Sequence, residues 1–473
     1  MAHADLDAAA RQLKFRDPAR AAALARSLDA TMRAIGREVV VMHVCGSHEQ
    51  AIAKFGLRAI LPKQLDVIMG PGCPVCITDM PEVDEAVALA ARGAVVCTYG
   101  DMLRVPGTRK SLADAQADGG RVRVVYSVSQ AVELARGPRD EVVFFATGFE
   151  TTAVATAAVV LGGTPPNFSI LSAHKYVPPA MEIVAALPDT KIEGFLAAGH
   201  AAVITGWKLF EPMARRHGAP IVVAGFEPLD ILAALVRLVE LIRDGSHDVV
   251  NMYLRCVTAE GNVNAQAQLW KVFTLTGGHW RGISWGPDGN IELRPEFAHV
   301  NARARFGLDA VRDASHPAVA TECICGEIMI GRATPRDCTL FGTTCLPESP
   351  VGACMVSSEG TCKLWPQPGG RPARGGARGW SRWRARRCPA WTSASACATA
   401  PGAAPCGRSS KASSRRASPP RPPPPTSWAS RPSTTGRPSG WETSGWCSPP
   451  TRTWCSPSSS PGVTSAACRC AAR

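Results

Sequence analysis

Six cysteines, Cys323, Cys325, Cys338, Cys345, Cys354 and Cys362, fall within forty residues of the 473-residue chain. Four soft thiolates at fixed positions suit an iron–sulfur cluster or a tetrahedral zinc ion. Zinc ribbons favour paired Cys-x2-Cys knuckles, and this segment has none. The Cys-x3-Cys-x2-Cys spacing of radical enzymes is absent as well. Six thiols exceed the four that a cubane cluster takes, and the surplus suggests a redox dithiol coupled to the metal site.

A second group is Cys73-Pro74-Val75-Cys76, directly behind Gly70-Pro71-Gly72. A lone Cys-x2-Cys reads as a redox dithiol, as half a metal site or as chance. Here it follows a strand pattern and precedes a helix pattern. Amides at a helix N-terminus favour the thiolate, the form that attacks disulfides and binds metals. Cys45, with His48 and Glu49, is the third group. A single thiol after a strand is often an inert core residue. Its place on the same expected sheet edge as Cys73 and Cys76 points instead to three thiolates converging on one cleft, suited to a soft or borderline metal such as Fe(II). His48 and Glu49 then act as ligands, proton carriers or orienting groups, roles that spacing does not rank.

Residues 147–152 offer the amides and hydroxyls of an anion cradle but lack the Walker pattern and its Lys. Glu150 is therefore read as a polar group pointing into the cleft. His174 and His200 also end strands, where a lone histidine is as often structural. Cys97 and Cys256 have no partner in sequence and are read as buried structural thiols.

Positioning these groups requires a sheet whose strands end together. Short β-branched runs at 39–44, 65–69, 94–98, 142–146, 168–172, 194–198 and 221–224 alternate with helical patterns, the sign of parallel α/β units. Nearly every polar or sulfur-bearing cluster falls just after one of these runs. In open α/β sheets that carboxyl edge is where ligands bind. The expected fold is α/β: two small parallel-sheet domains facing a cleft, split near residue 125, plus a C-terminal iron–sulfur region. The boundaries predicted are an N-terminal helical segment at 1–36 packing on the third region, α/β domains at 37–125 and 126–228, and a helical, cluster-bearing region at 229–365. Pro287-Asp288-Gly289-Asn290 reads as a plain turn.

The net charge of +13 divides unevenly. Residues 366–473 hold 17 basic residues and one acid, Glu442, whereas residues 1–365 hold 35 basic and 38 acidic groups. The tail also has no Leu, Ile, Phe, Tyr or Met but seven of the twelve Trp. Without aliphatic side chains it cannot offset roughly 1–2 kcal/mol per residue of ordering entropy. Its Arg, Pro, Ser, Ala, Gly, Cys and Trp are what an unintended frame of GC-rich DNA encodes, so a frameshifted or read-through tail is the expectation, ahead of a basic arm for nucleic acid. Asp5, Asp7, Arg11, Lys14 and Arg16 interrupt any signal peptide, and no apolar run reaches the ~18 residues of a membrane span. A cytoplasmic protein with no membrane and no nucleic-acid partner is expected, in which cysteines serve metals or thiol chemistry rather than staples.

Together these residues closely resemble the HypD family of hydrogenase maturation factors. The matching pieces are Cys45-Gly46-Ser47-His48-Glu49, Gly70-Pro71-Gly72-Cys73-Pro74-Val75-Cys76 and Thr147-Gly148-Phe149-Glu150-Thr151-Thr152. The last runs from Glu322-Cys323-Ile324-Cys325-Gly326-Glu327 to Ser357-Ser358-Glu359-Gly360-Thr361-Cys362. Ser47 stands where many members have Thr, which keeps the hydroxyl. The family's C-x14-C-x6-C-x16-C pattern falls on Cys323, Cys338, Cys345 and Cys362, implying that they ligate a [4Fe-4S] cluster. Cys325 and Cys354 then form the redox dithiol, similar to that of ferredoxin–thioredoxin reductases. Cys45, Cys73 and Cys76 match the family's cleft cysteines, associated with iron. The resemblance implies a scaffold that, with the small partner HypC, assembles the Fe(CN)2CO unit destined for the [NiFe]-hydrogenase large subunit. Cyanide comes from HypE, loaded by HypF. The competing class is an iron–sulfur-dependent thiol/disulfide reductase using the same cysteines, for which a third cleft thiol at Cys45 has no purpose.

Overall fold

The computed structural model describes residues 15–137, 140–314 and 322–366. Its strands are β1 (Val39–His43), β2 (Leu65–Met69), β3 (Val95–Thr98), β4 (Val122–Val124), β5 (Val142–Gly148), β6 (Phe168–Lys175), β7 (Ile192–Ala198), β8 (Ile221–Ala224), β9 (Val249–Asn251), β10 (Phe273–Trp280) and β11 (Ser284–Leu293). They form two sheets, ordered β2-β1-β7-β8-β9 and β10-β11-β6-β5-β3-β4. The first is parallel throughout. In the second, β4, β3, β5 and β6 run parallel and the β10–β11 hairpin joins antiparallel to β6. The α/β class expected from the sequence is borne out.

Every expected strand forms within a few residues of its apolar run. Fully covered strands need no polar face, and β5 and β6 are buried at every position. Between strands, helices start where the chain satisfies their first amides: Asp79 and Glu82 make a capping box for Met80–Ala91, and Ser111 with Asp114 does so for Leu112–Ala117. Helix Pro228–Arg243 buries its apolar stripe on β1, β7 and β8, and Pro18–Ile35 packs on that helix in turn.

The expected split near residue 125 falls between β4 and β5, inside the second sheet. The chain lays down β1 and β2, crosses to build β3 to β6, then returns for β7 to β9. Residues 229–365 do not stand apart: they supply β9 to one sheet and β10–β11 to the other. The turn signal at 287–290 lies within β11. It makes a bulge opposite the β10 register shift between Thr276 and Gly278, with Asp288 at φ 64°. The tail from 367 onward lies outside the described residues.

Buried ion pairs tie these elements together. Arg303 donates to both oxygens of Glu85 at 2.8–3.0 Å and to those of Glu292 at 2.8 and 3.0 Å. Lys175, fully buried, donates to Glu82 at 2.7 Å and Asn290 at 2.9 Å. Replacing Arg303 by Met leaves the largely buried Glu292 without its hydrogen-bonded cation and Glu85 with only the half-exposed Arg312, and we expect a loss of about 3–5 kcal/mol in urea unfolding. A loss near the ~1 kcal/mol of a surface pair would sink this account.

His174 on β6 is buried with Nδ1 3.3 Å from Ser172 Oγ. Burial, with Lys175 beside it, pushes its pKa down to about 3. The folded chain thus keeps it neutral while the unfolded chain takes up a proton below about pH 6.5. Its stabilisation is full above that pH and falls towards pH 3, by up to about 1.4 kcal/mol per pH unit. His174→Gln is expected to flatten the stability–pH slope between pH 5 and 6.5; identical slopes would refute a neutral His174.

Candidate functional site

In the first sheet the strand order reverses between β1 and β7, whose carboxyl ends deliver Cys45 and His200 to one crevice, a topological switch point. Cys45 caps helix Gly46–Lys54 from extended backbone and is 1 % exposed. Burial raises its thiol pKa to about 12, against the lowering effect of the His48 and Ser47 amides; the Glu359 carboxylate adds to the rise. His48 Nε2 donates to Gly225 O at 3.0 Å, which leaves Nδ1 as a bare lone pair with no partner, buried among the described residues. Burial, His43 and His200 hold His48 neutral, with a pKa down to about 3. Phe226 lies between the two imidazoles, its centroid 4.9 Å from His48 and 5.3 Å from His200.

Glu49 has a different setting. Its Oε2 takes Arg58 at 2.7 Å and His43 at 2.9 Å. Burial alone would raise its pKa, but Arg58 and His43 overcome that and bring it down to about 2. Glu49 thus anchors the helix carrying Ser47 and His48, and only Oε1 lacks a partner.

Cys73 and Cys76 are joined as a disulfide, with Cα atoms 5.3 Å apart and no exposed surface. In this disulfide neither sulfur is a thiolate that can ligate a metal. The Ser357 hydroxyl lies 3.2 Å from Cys73 Sγ, and the Cys76 amide donates to the same sulfur at 3.2 Å.

Ser357 opens the loop that connects all three cysteine groups. Ser358 donates twice to Asp101 Oδ2, at 2.9 and 3.0 Å, and Glu359 Oε1 accepts from Ser47 Oγ at 2.7 Å. A Cβ at position 46 would fall 2.4 Å from a Glu359 oxygen, so only glycine admits the carboxylate. Ser357, Glu359 and Asp101 were not singled out as site residues by spacing, although a polar run between Cys354 and Cys362 was its visible signal.

Behind the loop, Cys323 Sγ and Cys325 Sγ are 3.3 Å apart, Cys325 contacts Cys354, and Cys354 contacts Cys362. The expected dithiol pair is therefore in contact, flanked by two of the four expected cluster ligands. The contacts with Cys323 and Cys354 hold the Cys325 thiol well below its ordinary pKa and push its two neighbours up. Cys338 and Cys345 bracket a tight loop closed by Cys345 N donating to Leu340 O at 2.8 Å. Cys345 Sγ accepts from Val351 N at 3.3 Å. Among the described residues no three His, Cys, Asp or Glu side chains converge as a metal site in this arrangement. By donor chemistry the segment suits a thiolate-held cluster: it carries six sulfurs, four of which touch in a chain from Cys323 through Cys325 and Cys354 to Cys362, and Gly352 leaves the space where a Cβ would lie 2.5 Å from Cys323 Sγ.

Glu150 sits apart, at the switch point of the second sheet between β3 and β5. Its Oε1 accepts from Val177 N at 3.2 Å while buried Oε2 has no partner. Burial raises its pKa to about 7 against two amides that lower it. Among the described residues no hydrogen bond links it to the Cys45 group. Cys97 is buried, as expected. Cys256 is not: it is exposed, because it lies in the turn beyond the edge strand β9. No helix among the described residues is long and apolar enough to cross a membrane.

A family profile described as HypD, Hydrogenase formation hypA family, matches residues 19–368. The hydrogenase maturation factor HypD of Azotobacter vinelandii is 41% identical over 370 residues, covering 75% of this chain and 96% of its own. That of Rhizobium leguminosarum bv. viciae is 41% identical, covering 74% of this chain and 94% of its own. That of Cupriavidus necator is 40% identical, with the same shares of 74% and 94%. All the cysteine groups described above lie inside the matched span, and the chain belongs to the HypD family of hydrogenase maturation proteins.

Proposed function

We propose that this chain is an assembly scaffold in which Cys45 and a thiolate of HypC hold Fe(II) as cargo while its diatomic ligands are added. HypE, loaded by HypF, delivers the cyanides, and the finished Fe(CN)2CO unit passes towards the [NiFe]-hydrogenase large subunit. The observation that carries this reading is the Ser357–Glu359 loop, which reaches the Cys45 helix through Ser47 and the Cys73–Cys76 pair through Ser357. Cargo thiol and redox pair thus share one set of hydrogen bonds.

The chain's own groups have separable tasks. Cys45 supplies a thiolate once a cation offsets the burial that keeps it protonated. His48 Nδ1 offers a buried lone pair in the crevice where Phe226, Ala198 and Ala201 lie against Cys45. Exchange with the Cys325–Cys354 dithiol, which would be oxidised to a disulfide as it gives up two electrons and two protons, would reduce Cys73–Cys76 to the dithiol. Cys323, Cys338, Cys345 and Cys362 hold a [4Fe-4S] cluster, which supplies one-electron chemistry when bound. Glu150 stands in reserve as a buried carboxyl near neutrality, suited to handling a proton.

The second reading is an iron–sulfur-dependent thiol/disulfide reductase, favoured by the Cys73–Cys76 disulfide. The two separate at Cys45, which a reductase does not need. In anaerobically purified protein we expect about four irons and four sulfides per chain plus a further, substoichiometric iron. Cys45→Ala should lose the further iron and hydrogenase maturation while keeping the sulfide. Full iron loading and maturation in that variant would overturn the scaffold reading; zinc alone in the parent would overturn the cluster.

Glu359→Ala removes the carboxylate that covers Gly46 and raises the Cys45 pKa. Alkylation of Cys45 by iodoacetamide, followed by mass spectrometry, should accelerate about tenfold. An unchanged rate would mean that the loop does not shield this thiol.

A further inference from the structure

The surroundings of the Cys73–Cys76 disulfide treat its two sulfurs differently. Two donors meet at Cys73 Sγ: the Cys76 amide at 3.2 Å and the Ser357 hydroxyl at 3.2 Å. A disulfide sulfur carries no hydrogen, so in the second contact Ser357 donates. Its oxygen already accepts from Glu359 N at 3.1 Å, which leaves the hydroxyl hydrogen for the sulfur. Among the described residues no hydrogen bond reaches Cys76 Sγ.

The two sulfurs of a disulfide have different fates in thiol exchange. The attacked sulfur gains a new partner, whereas the other departs with the electron pair, and departs faster when its negative charge is stabilised. Donors already aimed at that sulfur supply the stabilisation without rearrangement. Both sulfurs are fully buried, which favours an attacking thiol from within the fold. Helix Ala353–Val356, which carries Cys354 and leads into Ser357, packs on Pro74–Ile77, which carries Cys76.

We infer that Cys76 is the sulfur attacked, that Cys73 is the one released, and that Ser357 is a catalytic residue stabilising the departing Cys73 thiolate. This rests on the exchange reading above and gives that exchange its direction. Cys354 loses its proton and attacks Cys76 Sγ; the Cys73–Cys76 bond breaks, and its electron pair leaves on Cys73, which takes up a proton. Cys325, in contact with Cys354, then loses its proton, attacks Cys354 Sγ and releases Cys76, which takes up the second proton. The Cys325–Cys354 pair is oxidised by two electrons and Cys73–Cys76 is reduced by two.

The test uses the anaerobic full-length chain carrying Cys325→Ser, which stops the second step so that the first product accumulates. N-Ethylmaleimide labels the released thiol, and peptide mass spectrometry identifies the link that remains. A Cys354–Cys76 link with labelled Cys73 is expected. A Cys354–Cys73 link with labelled Cys76 overturns the inference while the exchange reading stands. An intact Cys73–Cys76 disulfide beside labelled Cys354 fails both, because no exchange has then occurred. Cys325→Ala replaces the serine variant if that chain fails to fold. In the same background Ser357→Ala should slow labelling of Cys73 about tenfold, and Ser357→Thr, which keeps the hydroxyl, should restore most of the rate. A merely structural Ser357 acts in the opposite direction, since a loosened loop exposes the disulfide and speeds labelling. An alanine variant as fast as its background, or faster, therefore overturns the role of Ser357.

Discussion

The contact on which the site depends is that between Glu359 and the start of the Cys45 helix. The carboxylate fills the space left by the absent side chain of Gly46 and takes the Ser47 hydroxyl. Through it a segment from the far end of the described chain is fixed on the first strand–helix turn. The loop that brings Glu359 there also places Ser357 at Cys73 and Ser358 at Asp101. Three cysteine groups far apart in sequence thus share one hydrogen-bonded junction.

Burial gives the site its chemical character. Cys45, His48 and His200 sit where charge is penalised, so the thiol holds its proton and the imidazoles stay neutral. Groups that must stay charged are instead given partners: Glu49 has Arg58 and His43, and Arg303 has Glu85 and Glu292. The reactive groups are therefore held uncharged by burial, whereas the anchoring groups are already satisfied.

Most of the framework was legible in the sequence because parallel strands buried on both faces leave uninterrupted β-branched runs, as in Val142-Val143-Phe144-Phe145. The strands that were missed are those whose pattern is diluted. β4 and β9 have three residues each, and β10–β11 carries Gly277-Gly278 and a Pro-Asp-Gly bulge that reads as a turn. The interleaving of the sheets left no local signature, since strand order is decided by contacts distant in sequence. At the site, spacing found the cysteines and His48. It did not assign Glu359 a role, because that role comes from what folds against it, and it placed Cys256 in a core it does not enter.

The interleaved strand order also governs when the molecule can be finished. A ribosome delivers β1 and β2 first, yet β7, which covers the inner edge of β1, begins at Ile192. Through the intervening synthesis this pair waits as an unfinished apolar edge, the kind of nascent surface that draws chaperones or misassociates. The loop at 357–360 emerges later still, so the Cys45 crevice stays open until nearly all of the described chain has left the exit tunnel. Closure of the crevice is thereby timed to the late synthesis of the described chain, and a half-made chain has no closed site.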